Sequence, residues 1–357
     1  MSWAGNLLLT IGSPLRLAIN KSTAARPASP LGTATVVSVG VLIIGIAMSS
    51  NPTRLRGELS VLVARTEVEI VCICAPSGLH AAIGEEVVRA GKHVVVEKPI
   101  ATTLKAADQL IWSARASGVM LSVISQHRFD PGVVELKQLI EKGARGEFLF
   151  GEASVKWFRE ASYYTGSRWR GTQEMGGGGA LINQGIHYTD LLCWCMGPVA
   201  EVTALCDARA HEIEVEDIAV AMLRFRSGAL GTVVASTSLY PGLPERLEVS
   251  GTAGSVIVEN GVRVYEAVRG QGTLGGLSLG AGRWPAGPSA GGSGATDSEA
   301  IGYEGHARQI ADVLQALDDG GEPTVTGEEA RRTLEVVEAI YESARRHCAV
   351  SLTQPQH

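Results

Sequence analysis

From residue 68 onward the chain alternates between short apolar runs and stretches whose apolar positions recur at three- and four-residue spacing. Val68-Glu-Ile-Val-Cys-Ile-Cys74 is a strand-length apolar run that ends in the loop formers Ala75-Pro-Ser-Gly-Leu79, a pattern that predicts a buried strand. His80 to Ala90 carries helical spacing, and Gly91 supplies the stop. His93-Val-Val-Val96 predicts the next strand. Strand, helix and strand from Val68 to Pro99 form a β-α-β crossover, whose strands run parallel. A helix over about 103–117 and a strand over about 119–125 extend the alternation. The order predicts a doubly wound α/β domain over residues 1–130.

Beyond Asp130-Pro131 the pattern changes. One helix, about 132–142, leads into a long β run over 147–158. The glycines Gly176 to Gly179 then open a helix from Ala180 to Cys195. Strands follow near 201–208, 218–225, 230–238, 245–250 and 255–258, joined by short turns such as Arg226-Ser-Gly228 and Asn260-Gly261. Short connections imply antiparallel neighbours, so residues 131–357 read as a separate α+β domain with an open, mainly antiparallel sheet. Gln271 to Ser298, rich in Gly, Ser, Ala and Pro, reads as a flexible excursion. Two helical patterns, about 304–318 and 328–346, close the chain and are expected to return toward the first domain.

Leu31 to Met48 holds 18 residues without a charge, the lower limit of length for a membrane span. Its glycines, threonines and β-branched residues suit buried strands better, and a membrane span is the minor reading. The chain of 357 residues is 45% hydrophobic and 19% charged, which is globular material with room for two domains. A net charge of -6 without a basic stripe argues against nucleic acid as a partner. The six cysteines include no C-x-x-C pair, so packed thiols in a cytoplasmic, reducing compartment are expected, and no metal.

Two places carry candidate chemistry. Lys98, in Glu97-Lys98-Pro99, stands at the carboxyl edge of the parallel sheet, where open α/β sheets bind ligands. In Ala180-Leu-Ile-Asn-Gln-Gly-Ile-His-Tyr-Thr-Asp190, residues Asn183, His187 and Asp190 share a helical stripe. A neutral His187 could take a proton from a substrate hydroxyl, with Asp190 fixing its tautomer. Asn183 exchanges no proton at neutral pH, so proton traffic falls to His187 and Lys98. A cationic cofactor ring and partial burial would bring a lysine into the range of a base.

These segments resemble the Gfo/Idh/MocA family of sugar and polyol dehydrogenases. The resemblance rests on Cys74-Ala-Pro-Ser-Gly-Leu-His80, Gly91-Lys-His-Val-Val-Val-Glu-Lys-Pro99, Gln126-His-Arg-Phe129, Trp169-Arg-Gly171 and Gly177-Gly-Gly-Ala-Leu-Ile-Asn-Gln-Gly-Ile-His187. It extends from about residue 59 through Gly305-His306 to the last helices. It implies a Rossmann-like dinucleotide-binding domain, NAD or NADP as hydride carrier, and a secondary alcohol becoming a ketone. It also implies an open-faced sheet that mediates homo-oligomers, dimers or tetramers. By the same resemblance Lys98 and His187 handle the proton, and Pro76, Ser77 and His80 lie beside the nicotinamide half of the cofactor. Glu97 and Lys98 flank its ribose, and Arg128, Trp169 and Arg170 line the cofactor or substrate cleft. Asn183, where many members have aspartate, is similar to the branch acting on C3 of nucleotide-linked amino sugars. Tyr163, Tyr164 and His306 are candidate substrate contacts, each equally open to a packing role.

The first 56 or so residues depart from that pattern. Asn6 to Ile11 reads as a first strand, but the turn after it, Gly12-Ser-Pro-Leu-Arg-Leu17, keeps one glycine of three. Ala34 to Val39 falls where the second strand belongs, with no Asp or Glu after it to bind a ribose hydroxyl and choose between NAD and NADP. Val41 to Gly45 is a rival strand that leaves little chain before Val68 for the missing elements. Three explanations stay open: a stretch read in the wrong frame, divergence to a non-catalytic sugar-binding or regulatory protein, or an enzyme that holds its dinucleotide through unusual contacts.

Overall fold

A computed structural model describes residues 59–143, 146–167, 169–259 and 302–352, with the backbone of strands at 17–18, 34–38, 41–46 and 262–266. Gly12, the Asn6 to Ile11 strand, the Asn260-Gly261 turn and the 271–298 excursion lie outside the described residues. The chain divides into two compact units, residues 1–126 with 302–331, and residues 127–301 with 332–357.

In the first unit, β1 (Leu17–Ala18), β2 (Ala34–Ser38), β3 (Val41–Ile46), β4 (Val68–Ile73), β5 (His93–Val96) and β6 (Leu121–Val123) lie side by side in that order. β3 to β6 are parallel, and β1 and β2 form an antiparallel edge. The uncharged run therefore holds two strands. Among the described residues no helix is long and apolar enough to cross a membrane. The rival strand at Val41 is real and pairs parallel with β4.

Helices α1 (His80–Arg89) and α2 (Leu104–Ala116) connect the parallel strands. Thr103 caps α2, its hydroxyl oxygen accepting the Ala106 N–H at 3.3 Å. Gly91, at φ +70°, turns the chain out of α1.

The second unit opens with α3 (Pro131–Glu141), β7 (Phe148–Lys156), α4 (Ala161–Thr165) and α5 (Gln173–Gly176). A π-helical turn, Leu181–Gly185, runs into α6 (Ile186–Met196). β8 (Val199–Asp207), β9 (Ile218–Phe225), β10 (Leu230–Ser236), β11 (Arg246–Gly251), β12 (Gly254–Val258), β13 (Val262–Glu266) and β14 (Val350–Ser351) complete the strands. The sheet order is β13-β12-β11-β7-β10-β9-β8-β14. It is mixed, because β7 runs parallel to β10 and antiparallel to β11.

β9 shows how its two faces differ. Ala219, Ala221, Leu223 and Phe225 are buried, while Val220 and Met222 are exposed, the alternation of a strand with one solvated face. The chain then returns through α7 (Glu304–Asp319) to α8 (Gly327–Arg346). α7 belongs to the first unit, where Ile310 and Val313 pack with Ile70, Cys72, Val95 and Ile124. All six cysteines are free, and burial pushes the Cys72 thiol up to about 12, which suits packed, unreactive sulfur.

Candidate active site

The carboxyl ends of β4 and β5 are tied together by backbone and by one histidine. Glu97 N–H donates to Ile73 O at 2.9 Å. His80, 1% exposed, has Nδ1 2.7 Å from Pro99 O and Nε2 2.9 Å from Ala75 O. Both ring nitrogens face backbone carbonyls, so His80 joins the loop after β4 to the loop after β5. Burial holds its pKa below the ordinary histidine value, against the pull of the two carbonyls.

Lys98 sits half-buried on the turn so fixed, between Glu97 and the buried Pro99. Glu97 Oε2 accepts the Lys98 N–H at 3.1 Å. Its Oε1 is shut off from solvent without a hydrogen-bond donor, and His306 Nε2 stands 3.7 Å away, an ion-pair distance too long for a hydrogen bond. Burial opposes ionisation of Glu97, but His306 and Lys98 outweigh it and hold the carboxyl below its usual range. His306, expected at the substrate, is 4% exposed and faces Glu97. Pro76 and Ser77 are buried in the loop after β4.

In the second unit the start of the helix bearing Asn183 and His187 is closed by two residues absent from the sequence reading. Glu216 Oε2 accepts the Gly179 N–H at 2.9 Å, its Oε1 the Leu181 N–H at 2.8 Å, and its carbonyl the Ala180 N–H at 3.0 Å. Tyr341 Oη takes the fourth donor, Ile182 N–H, at 3.3 Å, and donates to Glu216 Oε1 at 2.9 Å. The four donors that a helix start leaves open are thus all satisfied. Burial raises the Glu216 carboxyl above its ordinary value despite these donors. Gly179 leaves the room for this approach, since a Cβ there would collide with Glu216 O.

Tyr341→Phe deletes one donor and one acceptor from the network. Its expected cost is about 1–2 kcal/mol, read as a lower Tm with NADH affinity unchanged. An unaltered Tm would show that the hydroxyl is not needed to close the helix.

Asn183 Nδ2 donates to Gly178 O and Gly179 O, each at 3.0 Å. The expected partnership of Asp190 with His187 is not formed. Asp190 is 3% exposed, and Arg128 Nε and one terminal nitrogen donate to its Oδ2 and Oδ1, each at 2.7 Å. Thr333 Oγ1 adds a hydrogen bond to Oδ1 at 2.8 Å. The Asp190 carboxylate and the Arg128 guanidinium thus pair with each other in the interior.

The His187 ring instead meets His127 edge-on, with centroids 5.1 Å apart. His127 Nδ1 holds Asp130 Oδ2 at 2.6 Å. His127 stood within the quoted Gln126-His-Arg-Phe129 motif, so a signal for it existed. Tyr164, expected at the substrate, is buried with its hydroxyl 2.7 Å from Thr237 Oγ1. Tyr163 is half-buried and accepts from Gln184 Nε2 at 2.9 Å. The Arg170 guanidinium lies over Tyr163 at 4.5 Å and over Trp169 at 5.4 Å. Among the described residues no cluster of His, Cys, Asp and Glu could hold a metal ion.

A parallel nucleotide-type sheet with a lysine at its carboxyl edge, joined in sequence to a large mixed sheet, defines a two-domain α/β class. Residues 41–125 match the family model described as an oxidoreductase family with an NAD-binding Rossmann fold, and residues 133–257 match the GFO/IDH/MocA C-terminal domain. The chain belongs to the Gfo/Idh/MocA family.

It is 31% identical to the WlbA dehydrogenase of Bordetella pertussis, whose structure holds NADH and UDP-GlcNAcA. That match covers 83% of each chain with a TM-score of 0.70. An uncharacterized oxidoreductase of Schizosaccharomyces pombe is 30% identical over 206 residues, 56% of this chain and 55% of that protein. The scyllo-inositol 2-dehydrogenase (NADP(+)) of Bacillus subtilis is 30% identical over 200 residues, 56% and 54%. The chain spans about half the length of the curated relatives it matches.

Proposed function

We propose that the protein is an NAD(P)-dependent oxidoreductase that interconverts a secondary alcohol and a ketone on a sugar, polyol or nucleotide sugar. The observation that carries this reading is the turn Glu97-Lys98-Pro99, held by His80 and Glu97 at the carboxyl ends of β4 and β5. The residues fit a dinucleotide: Glu97 Oε1 is a buried acceptor lacking a donor, which a ribose hydroxyl would supply. When bound, the nicotinamide exchanges a hydride with the carbinol carbon.

The chain's own residues then manage the hydroxyl. As the C–H electrons leave and the C=O bond forms, the O–H proton passes to Lys98 or His187, and it returns in the reverse direction. Asn183 orients the substrate ring. The likeness to WlbA, whose structure holds UDP-GlcNAcA, supports a nucleotide sugar, and Asn183, on the family pattern, favours C3 of a UDP-amino sugar as the site of reaction. Pro76, Ser77 and Trp169 are assigned to the cofactor and Tyr163 to the substrate on the family pattern. A homo-oligomeric, cytoplasmic protein is the accompanying expectation.

The test is titration of the purified chain with NADH and NADPH by nicotinamide fluorescence, followed by NAD(P)+ reduction with nucleotide sugars and inositols. Micromolar binding with reduction of one coenzyme is expected. A folded protein that binds a sugar but neither coenzyme would overturn the reading and leave a non-catalytic sugar-binding role.

A further inference from the structure

We propose that His127, held by Asp130, is the relay through which the proton taken up by His187 reaches solvent. The inference rests on the oxidoreductase reading, since that reaction sheds one proton for each alcohol oxidised. The two imidazoles are placed by neighbouring anchors. Arg128 binds Asp190 of α6 through two hydrogen bonds of 2.7 Å, and α6 carries His187 one turn before Asp190. The residue before Arg128 is thereby laid against α6 as well, and the His127 and His187 rings meet edge-on with centroids 5.1 Å apart. Asp130 N–H donates to His127 O at 3.2 Å, closing the turn that carries the histidine. Tyr188 flanks the His127 ring at 6.0 Å and packs on Val155 and Trp157. Burial pushes the Tyr188 hydroxyl far above its ordinary value, so it keeps its proton and takes no part.

His127 Nδ1 stands 2.6 Å from Asp130 Oδ2. A carboxylate only accepts, so Nδ1 carries the proton, and in the neutral ring Nε2 holds the lone pair. That is the tautomer a proton acceptor needs, with the counter-charge for an imidazolium already in place. Among the described residues Nε2 makes no hydrogen bond. The carboxylate is diverted to this use. Asp130 is the N-cap of α3, where an aspartate ordinarily accepts a first-turn N–H, yet its side chain makes no capping bond. The pair also opens outward: the side chains of His127 and Asp130 are 25% and 40% exposed, whereas His187 is half-buried. When the alcohol is oxidised, its C–H electron pair leaves as hydride and its O–H proton enters His187. The His187 imidazolium passes that proton to His127 Nε2, directly or through one water. Asp130 balances the charge so formed, and His127 releases the proton to bulk water. Ketone reduction runs the same line backwards.

The test compares wild type, His127→Asn, Asp130→Asn and Asp130→Ala as whole chains. Each is assayed for NAD(P)+ reduction with the nucleotide sugars and inositols above, in dilute buffer and with added imidazole. His127→Asn is expected to lower kcat about ten-fold in dilute buffer, with sugar KM and NADH affinity within about two-fold of wild type. Imidazole should restore most of that loss. Asp130→Ala should lose about as much, and Asp130→Asn, which keeps an acceptor for Nδ1–H, about three-fold. A residue that merely packs against His187 gives a loss that imidazole leaves untouched, and that outcome overturns the relay. Nitrogen NMR of histidine-labelled wild type checks it independently of rate. Neutral His127 should be protonated at Nδ1 and bare at Nε2, and the opposite tautomer overturns the proposal. Wild type that reduces neither coenzyme with any of these sugars sinks the oxidoreductase reading and the relay with it. Wild type that turns over beside an equally active His127→Asn sinks the relay alone, by showing that His187 empties straight to solvent.

Discussion

Lys98→Ala is expected to lower kcat by about three orders of magnitude, the middle of the range for a group that moves a proton in the reaction. NADH affinity should fall no more than about ten-fold. The separation of the two effects follows from how the turn is built. His80 grips Pro99 O and Ala75 O, Glu97 N–H grips Ile73 O, and Glu97 Oε2 accepts the backbone N–H of residue 98. None of these contacts uses the lysine side chain, so the loop keeps its shape when the chain beyond Cβ is removed. What disappears is the ammonium, and with it one of two groups that can exchange the hydroxyl proton. Single-turnover measurements with saturating coenzyme read the chemical step directly. Turnover at the wild-type rate in Lys98→Ala would remove the residue from the mechanism and leave His187 to act alone.

The sequence made local structure legible where each element's neighbours are close in the chain. The crossover from Val68 to Pro99 emerged as β4, α1 and β5, and the strand expected at 218–225 is β9, Ile218–Phe225. Antiparallel pairing inferred from short turns holds for β9 with β10 and β11 with β12. The neighbours of β7, β10 and β11, lie far along the chain, and no turn pointed to them. A strand's partners are chosen by tertiary packing, which spacing alone does not encode.

The same limit governed the site. Helical spacing correctly set Asp190 near His187 in the chain, but it could not show that the carboxylate is spent on residues 62 and 143 positions away. Glu216 and Tyr341 close a helix start from 35 and 159 positions away, and nothing around them in the chain marks them. The π-helical turn at Leu181–Gly185 was equally silent, being an insertion into a helix that reads as regular.

The Arg128–Asp190 pair carries the largest expected effect on stability. Its side chains are 2% and 4% exposed, the geometry is bidentate, and Trp194 covers the guanidinium at 5.1 Å. Asp190→Ala would strand that guanidinium in the interior, and removing one partner of such a pair costs about 3–5 kcal/mol. For a unit of this size that corresponds to a fall in Tm of about 10 °C. Arg128→Met strands the carboxylate instead and should cost a similar amount, less what Thr333 still offers Asp190.

The paired substitution, Arg128→Met with Asp190→Leu, removes both charges and keeps most of the volume. It is expected to recover at least about half of the single-variant loss, because two buried ions taken out of water repay little more than their own desolvation. Melts of the four proteins close a double-mutant cycle with a coupling of about 2 kcal/mol or more. Additive losses would show that water reaches the pair. Activity discriminates further, since α6 presents His187 one turn before Asp190. If the pair sets the position of that helix, the double variant melts near wild type yet turns over slowly. If it only fills the interior, stability and kcat recover together.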